Sequence, residues 1–293
     1  ILTDVEGYMV SYENGVYSVV QAIYTQTTQL SAGWNWFSYY VNTDLTALET
    51  ALGENGVEIK SHQDGYVRYT TLSEPYNISY WSGNLSAVAA EQMYMIRTST
   101  QVEDMKLVGE MVDYNNVSIT LKPGWNWIGF PMSEAVSVEN ALNGLSPNSG
   151  DIIKSLTNSY AEYTYYETPG IGTWSIALST LTPGEGYMYY NSSSETKTFT
   201  YNVSRSNAEL KANITTDGNH WIPNAGQYPN NMTMTAMVEV EGGDYEVAAF
   251  VNGECRGSAR PIYIEALDAH ILFLTIHGED VEEMTFKFYD LAT

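Results

Sequence analysis

Basic residues and cysteines are scarce in this chain of 293 residues. Lys and Arg number 12 against 35 Asp and Glu, which gives a formal net charge of −23. Nucleic acids and anionic membrane surfaces both need a basic footprint on a protein partner, so this charge balance argues against both. The single cysteine, Cys255, can form no intrachain disulfide, and one cysteine excludes a cysteine-rich zinc site. No apolar run approaches the ~20 residues that a membrane-spanning helix needs.

Motifs of common enzymes are also missing. The sequence contains no phosphate-binding Gly-Lys-Ser/Thr loop, no Gly-x-Ser-x-Gly elbow and no dinucleotide fingerprint. Its four histidines have no metal-ligand spacing and are interpreted as surface or loop residues: His62, His220, His270 and His277. Cys255 beside a strand end is interpreted as a small buried side chain rather than a nucleophile. Paired carboxylates for glycoside cleavage stay open, because their separation is a three-dimensional property. We therefore predict a protein without catalytic activity of its own.

What the sequence does contain is an internal repeat. Gly33-Trp-Asn-Trp36 recurs as Gly124-Trp-Asn-Trp127, 91 positions later. Matching blocks follow in the same order, with Ile59-Lys60-Ser61 against Ile153-Lys154-Ser155, Trp81 against Trp174, and Met93-Tyr94-Met95 against Gly186-Tyr187-Met188. An ordered series of matches at a near-constant offset indicates two copies of one folded unit.

A third fragment of the repeat stands at the front of the chain. Glu6-Gly7-Tyr8-Met9 resembles Glu185-Gly186-Tyr187-Met188, as the tail of a preceding copy would. We favour a chain cut from a longer array over an N-terminal strand that completes the first sheet, because residue 1 is Ile and no signal peptide precedes it. The predicted division is a leading strand pair at 1–28, repeats at 29–115 and 116–205, and a C-terminal module at 206–293.

Each repeat is expected to be mostly strand with one short helix. Period-two alternation on the Gly-Trp-Asn-Trp strand places both tryptophans on one face and Asn on the other. Asp44 or Thr43 is a helix cap in the first copy and Ser137 in the second, each before apolar residues at helical spacing. Five strand-like runs after residue 206 predict an all-β sandwich. The expected fold class is mainly β, with small α+β repeats followed by that sandwich.

The ordered blocks resemble those of modular surface proteins from Gram-negative gut and oral anaerobes. In that group, Gly-Trp-Asn-Trp units are often followed by a β-module with a segment like Ala249-Phe-Val-Asn-Gly-Glu-Cys-Arg-Gly257. The resemblance runs from about residue 2 to about residue 290. It implies an exported, surface or secreted protein of adhesin type, and it carries no catalytic residues with it.

Aromatic side chains are the candidate ligand contacts, because the chain holds 7 Trp and 24 Tyr. The four tryptophans of the repeated tetrapeptide are interpreted as buried core side chains, since each copy of a repeat must keep the residues that pack its core. Trp81 and Trp174, set among small and polar residues, are the better candidates for exposed contacts, although a core position is slightly favoured even for these two. Tyr66 and Tyr163, in the Tyr-rich strands, complete the predicted ligand-binding set.

Two acidic clusters offer oxygen ligands for Ca²⁺, although neither has a calcium-loop pattern. They comprise Glu239, Glu241, Asp244 and Glu246, and Glu279, Asp280, Glu282 and Glu283. A solvated turn is the favoured interpretation of both, and no cofactor is predicted.

The leading functional hypothesis is a non-catalytic adhesion or ligand-binding module that recognises an extracellular glycan or a surface protein. The alternative is an accessory C-terminal region of an exported hydrolase whose catalytic domain lies outside this sequence.

Overall fold

The computed structural model describes residues 2–3, 8–13, 16–167, 170–201, 220–228, 230–238, 245–264, 269–279 and 282–291. The fold is mainly β, as the sequence predicts. All strand pairings among the described residues are antiparallel, and they form two five-stranded sheets with several smaller ones. Among these residues, no helix has both the length and the apolar character needed to cross a bilayer.

The chain begins with a small sheet of three strands rather than the predicted pair. These strands are β1 (Leu2–Thr3), β2 (Tyr8–Glu13) and β3 (Val16–Gln21), in that spatial order. Glu13 pairs with Val16 across a hairpin. The predicted Asn14-Gly15 turn itself lies outside the described residues.

The first five-stranded sheet has the order β5-β9-β6-β7-β8, and a separate ribbon pairs β4 with β10. Because β4 begins at Tyr24 and pairs with β10, it crosses the predicted boundary at residue 28. The elements of this part are β4 (Tyr24–Leu30), β5 (Gly33–Phe37), α1 (Leu45–Leu52), β6 (Gly56–Lys60), β7 (Tyr66–Leu72), β8 (Ile78–Gly83), β9 (Tyr94–Thr98) and β10 (Val102–Gly109).

The second five-stranded sheet has the order β12-β18-β14-β15-β16, with β11 paired to β19 and β13 to β17. Strand for strand, this is the order of the first sheet. Its elements are β11 (Ser118–Leu121), β12 (Gly124–Ile128), β13 (Val136–Ser137), α2 (Val138–Ala141), β14 (Ile152–Lys154), β15 (Tyr160–Tyr166), β16 (Ile171–Trp174), β17 (Thr180–Leu181), β18 (Tyr187–Asn191) and β19 (Lys197–Thr200).

Each of these sheets buries one face against its helix. The caps are those the sequence predicts, since the Asp44 carboxylate accepts from Ala47 N–H and Ser137 Oγ accepts from Asn140 N–H. Helix α1 ends at Gly53, whose φ of 53° suits glycine. Helix α2 is a single turn of 4 residues, shorter than the expected two or three turns. Both are too short to be stable alone, so contact with the sheet must hold them.

A buried asparagine explains why the repeated tetrapeptide folds as it does. Asn126 Oδ1 accepts from Lys122 N–H at 2.8 Å, while its Nδ2 donates to the carbonyls of Lys122 at 2.7 Å and Gly124 at 2.9 Å. Asn35 makes the same three bonds to Ser31 and Gly33, at 2.9, 2.9 and 3.1 Å. The amide therefore closes the turn that leads into the strand, and that turn needs glycine because Gly33 and Gly124 have φ of 94° and 86°.

The two large sheets meet in a reciprocal way. The backbone of Phe37 forms an isolated antiparallel β-bridge with that of Glu185. Ile128, the counterpart of Phe37 in the second sheet, forms the same kind of β-bridge with Gln92. Matching backbone bonds run from Ser38 N–H to Gly184 O at 3.1 Å and from Gly129 N–H to Glu91 O at 3.0 Å. A contact in which each partner contributes the same patch is isologous. The two sheets are thus related by an approximate two-fold axis within one chain.

The C-terminal module consists of two three-stranded sheets packed face to face, which is the predicted sandwich-like arrangement. Its strands are β20 (Asn230–Val238), β21 (Tyr245–Val251), β22 (Glu254–Ala259), β23 (Ile262–Ile264), β24 (Ala269–Gly278) and β25 (Thr285–Asp290). The sequence patterns missed β22, which contains few apolar residues. Gly257 in this strand lies so close to the opposite sheet that a Cβ would meet Thr275 O at 2.1 Å.

We predict that Asn126→Ala destabilises the fold by about 2–3 kcal/mol, because it leaves three partly buried backbone groups of Lys122 and Gly124 without their partner. The measurement is denaturant unfolding of the whole chain. Asn116→Ala is the control, since this exposed amide donates to its near neighbour Asp113. Equal stability of the two variants would show that the buried amide does not hold the turn.

Candidate functional site

The face of each large sheet that points away from its helix carries the tryptophans. Alternation along β5 places Trp34 and Trp36 on this face, with Asn35 and Phe37 on the other. The two tryptophan faces pack against each other at the reciprocal contact between the sheets. The first sheet contributes its buried tryptophans and two buried methionines, against which the second sheet packs Trp127, Leu156 and Met188.

A cleft of about 310 Å³ opens at this contact. Its walls are two lysines, two tryptophans, two methionines and two asparagines of the C-terminal module, namely Lys60, Lys154, Trp125, Trp127, Met95, Met188, Asn230 and Asn231. We call it the tryptophan–lysine cleft. None of the described residues that line it is acidic, in a chain whose net charge is −23.

The two lysines occupy the same position in the two sheets and make the same contact. Lys60 Nζ lies 4.6 Å from the centre of the Trp34 ring, and Lys154 Nζ lies 4.2 Å from that of Trp125. Both distances are within the range of cation–π attraction. Lys60 Nζ also lies 6.0 Å from the Trp127 ring, so this lysine joins the two sheets. The antiparallel register sets this geometry, because Lys60 and Lys154 stand opposite Met95 and Met188 on the central strands.

Burial makes Lys154 an unusual lysine. Its side chain donates a hydrogen bond to Asn231 Oδ1, and the residue is only 3% exposed. Burial lowers the pKa of Lys154 to about 8, so the ammonium is still protonated at neutral pH. Burial and then the charge of Lys154 lower the pKa of nearby His277 to about 4, which leaves that imidazole neutral. His277 is therefore a buried side chain rather than the surface residue that the sequence predicts.

Trp125 is the tryptophan that faces solvent, at 37% exposure, and its ring lies 5.2 Å from that of Tyr190. The prediction that all four repeated tryptophans are buried core side chains is wrong for Trp125. The surroundings of the two turns differ, because the turn around Gly226 packs on the turn that leads to Trp34. A Cβ on Gly33 would meet Gly226 O at 2.3 Å, whereas a Cβ on Gly124 meets nothing within 4 Å.

The structure does not bring the four predicted ligand-binding residues together. Trp174 is 7% exposed and packs in the core, with ring centres 5.3 Å from Tyr163 and 6.2 Å from Tyr189, so it occupies the core position that was slightly favoured over an exposed contact. Gly172, two residues before it, leaves room for Tyr163, because a Cβ there would collide with the Tyr163 hydroxyl.

Of the other predicted residues, Trp81 is half-buried against the first core, where its ring lies above Gly56 and 5.4 Å from Tyr69. Tyr66 alone offers an open ring, at 44% exposure, with the Arg68 guanidinium 5.3 Å from its centre. Ligand binding by these aromatic residues stays a prediction.

Two of the acidic residues that are described, Glu246 and Glu282, make side-chain contacts within the protein. Glu246 is fully buried and accepts from the backbone N–H groups of His220 and Trp221 at 2.6 and 3.1 Å. Glu282 pairs with Arg256 at 3.2 Å. Glu239, Glu241, Asp244 and Asp280 lie outside the described residues, and among those described no group of three or more potential ligands could hold a metal ion.

Burial raises the pKa of the Cys255 thiol, which is the opposite of what a thiolate nucleophile needs.

Sequence reasoning missed the lysines of the cleft. The signal was present, because Lys60 and Lys154 are repeated within a chain that has only 12 basic residues. Comparison with protein-family models, with curated proteins and with solved structures finds no match to this chain.

We predict that Lys154→Met removes a pH-dependent component of stability. Because the pKa of Lys154 falls from its unfolded value of about 10.4 to about 8 on folding, the folded state binds fewer protons between these two values. Wild-type stability therefore gains from this group as pH rises above about 8, by at most about 1.4 kcal/mol per pH unit.

Denaturant unfolding of both proteins from pH 7 to 9.5 measures the effect as a difference in slope. Buried tyrosines contribute equally to both proteins. Lys106→Met, whose side chain is 57% exposed, is the control that keeps the wild-type slope. A Lys154→Met slope equal to that of wild type would contradict the prediction.

Proposed function

We propose that this chain is a non-catalytic ligand-binding module of a secreted or cell-surface protein, and that it binds a saccharide at the tryptophan–lysine cleft. The exposed Trp125 ring at the edge of the cleft carries the proposal. Its counterpart in the other sheet, Trp34, is 9% exposed, so the two equivalent rings differ in their access to solvent.

The chemistry of the cleft suits a sugar ring. Trp125 and Tyr190 together form an aromatic surface, and an indole attracts the polarised C–H groups on the apolar face of a pyranose as it attracts cations. Lys60, Lys154 and Asn231 supply polar groups beside this surface. Small-molecule sites combine apolar walls with a few placed polar groups in this way. The cleft volume of about 310 Å³ lies at the lower end of their usual range, which fits about one sugar residue.

The two-copy interpretation of the chain is part of the proposal. We infer that residues 29–115 and 116–205 are copies of one unit, and that they belong with the modular surface proteins whose blocks they resemble. The equal strand orders and the matching asparagine bonds support this inference. A binding module of this kind serves equally as part of an adhesin or as the accessory region of an exported hydrolase.

We expect Trp125→Ala to weaken saccharide binding by about tenfold or more, as loss of a central aromatic contact does. The measurement is isothermal titration of the whole chain against a panel of neutral and acidic oligosaccharides. Tyr165→Ala is the matched control, because Tyr165 is 52% exposed on the second sheet and does not line the cleft.

Tyr66→Ala separates this site from the one predicted by sequence. If it abolishes binding while Trp125→Ala does not, the site is the Tyr66 region. If the intact chain binds no member of the panel, the proposed function is wrong.

A further inference from the structure

We propose that the saccharide bound by this chain is acidic, and that its carboxylate or sulfate is held between the ammonium groups of Lys60 and Lys154. This inference rests on the proposed function and names the ligand class for the same cleft. Three independent observations lead to it, namely the lack of carboxylate partners, the symmetry of the two lysines, and the local charge.

The first observation is that these lysines have no carboxylate partner among the described residues. A buried or half-buried charge normally pairs with an opposite charge. Elsewhere this protein follows that rule, with Lys197 paired to Asp151 at 3.0 Å, Arg256 to Glu282 at 3.2 Å, and Arg68 to Glu58 at 2.9 Å. Lys154 is more buried than Arg68 or Lys197, yet it contacts only an indole face and an amide oxygen among the interactions described. An anion entering the cleft would complete its environment.

The second observation is that the fold itself places the two ammonium groups at one cleft. Each lysine stands at the same position of its own sheet, and the approximate two-fold contact between the sheets turns both toward the tryptophan faces. Two lysines that line one cleft offer donors to the several acceptor oxygens of a carboxylate or sulfate, and each such bond is charge-assisted. Neither lysine needs to leave its tryptophan, because an ammonium has three donors.

The third observation is the charge around the cleft. Arg97 lies on the same face, with its guanidinium 5.9 Å from the Trp34 ring, and Glu58 is already paired with Arg68. His277 from the C-terminal module is neutral at physiological pH. The cleft is therefore locally positive although the whole chain carries −23. Screening limits the repulsion from distant carboxylates to about 8–10 Å at physiological salt, so the nearby cations decide which ligand enters.

An acidic sugar gains more from two ammonium groups than a neutral sugar does, because hydrogen bonds between ionised partners are the stronger ones. An acidic substituent that reaches Lys154 lies beside the Trp125 ring, because Lys154 Nζ is 4.2 Å from the centre of that ring. The remaining sugars of an oligomer would then extend past Trp125 and Tyr190 toward solvent.

The test compares three ligands of equal length by isothermal titration with the whole chain. These are a galacturonate trimer, the same trimer with its carboxyl groups reduced to alcohols, and a sulfated neutral trimer. We expect one acidic trimer to bind about tenfold or more tightly than the reduced trimer, with weaker binding as salt increases. The better of the two acidic trimers shows whether the natural group is a carboxylate or a sulfate.

Lys60→Gln and Lys154→Met should each lower affinity for the preferred acidic trimer by about tenfold, a larger loss than the same variants cause for the reduced trimer. Lys106→Met is the control, since this exposed lysine lies outside the cleft.

If Lys154→Met does not fold, titration of the wild-type chain with pH replaces this variant. Because the pKa of Lys154 is about 8, wild-type affinity for the acidic trimer should fall as pH rises from 7 to 9.5.

Equal affinity for the acidic and reduced trimers, abolished by Trp125→Ala, would overturn this inference and leave the proposed function standing. Failure of the chain to bind any of the three trimers or any member of the wider panel would overturn both. Preference for an acidic trimer that persists unchanged in Lys60→Gln would also overturn the inference, because another group would then hold the anion.

Discussion

The bonds of one buried amide to its own turn underlie the architecture of both large sheets. Asn35 and Asn126 each form hydrogen bonds with backbone groups of the turn before the strand. These bonds fix which side of the strand faces the helix and which faces the other sheet. Period-two alternation then leaves no choice for the flanking tryptophans, which must occupy the opposite face. The tryptophan–tryptophan contact between the sheets, and the lysines beside it, follow from that assignment.

The candidate site lies where two sheets of equal strand order meet and where the C-terminal module packs on them differently. The approximate two-fold contact would bury equivalent residues equally if the two sheets were alone. The C-terminal module breaks this equivalence, since it packs over Gly33 and against Tyr160 of β15 but leaves Trp125 open. Tyr66, the counterpart of Tyr160, remains exposed where no module covers it. Equivalent positions of the two sheets therefore present different surfaces to a ligand.

The sequence predicted well those features that depend on local patterns. The caps Asp44 and Ser137 and the strands of the Gly-Trp-Asn-Trp tetrapeptide could be read directly, because each depends on a few neighbouring residues. The candidate site was harder, since exposure depends on which element covers a side chain. For Trp174 the sequence left core and contact nearly balanced, and its ring lies in the core beside Tyr163 and Tyr189. Trp125 was expected to be buried because its tetrapeptide is repeated, but it is exposed while Trp34 is not.

The asparagine bonds are made to backbone groups of the turn and of the neighbouring strand, at Ile96 O and Tyr189 O, and this leaves the tryptophan-bearing face free to change its composition. The present chain already shows such divergence, with Glu58, Arg68 and Arg97 in one sheet standing where the other has Ile152, Glu162 and Tyr190. A protein assembled from many such units could therefore carry a different chemical preference at each junction between neighbours, while every unit kept the same backbone scaffold.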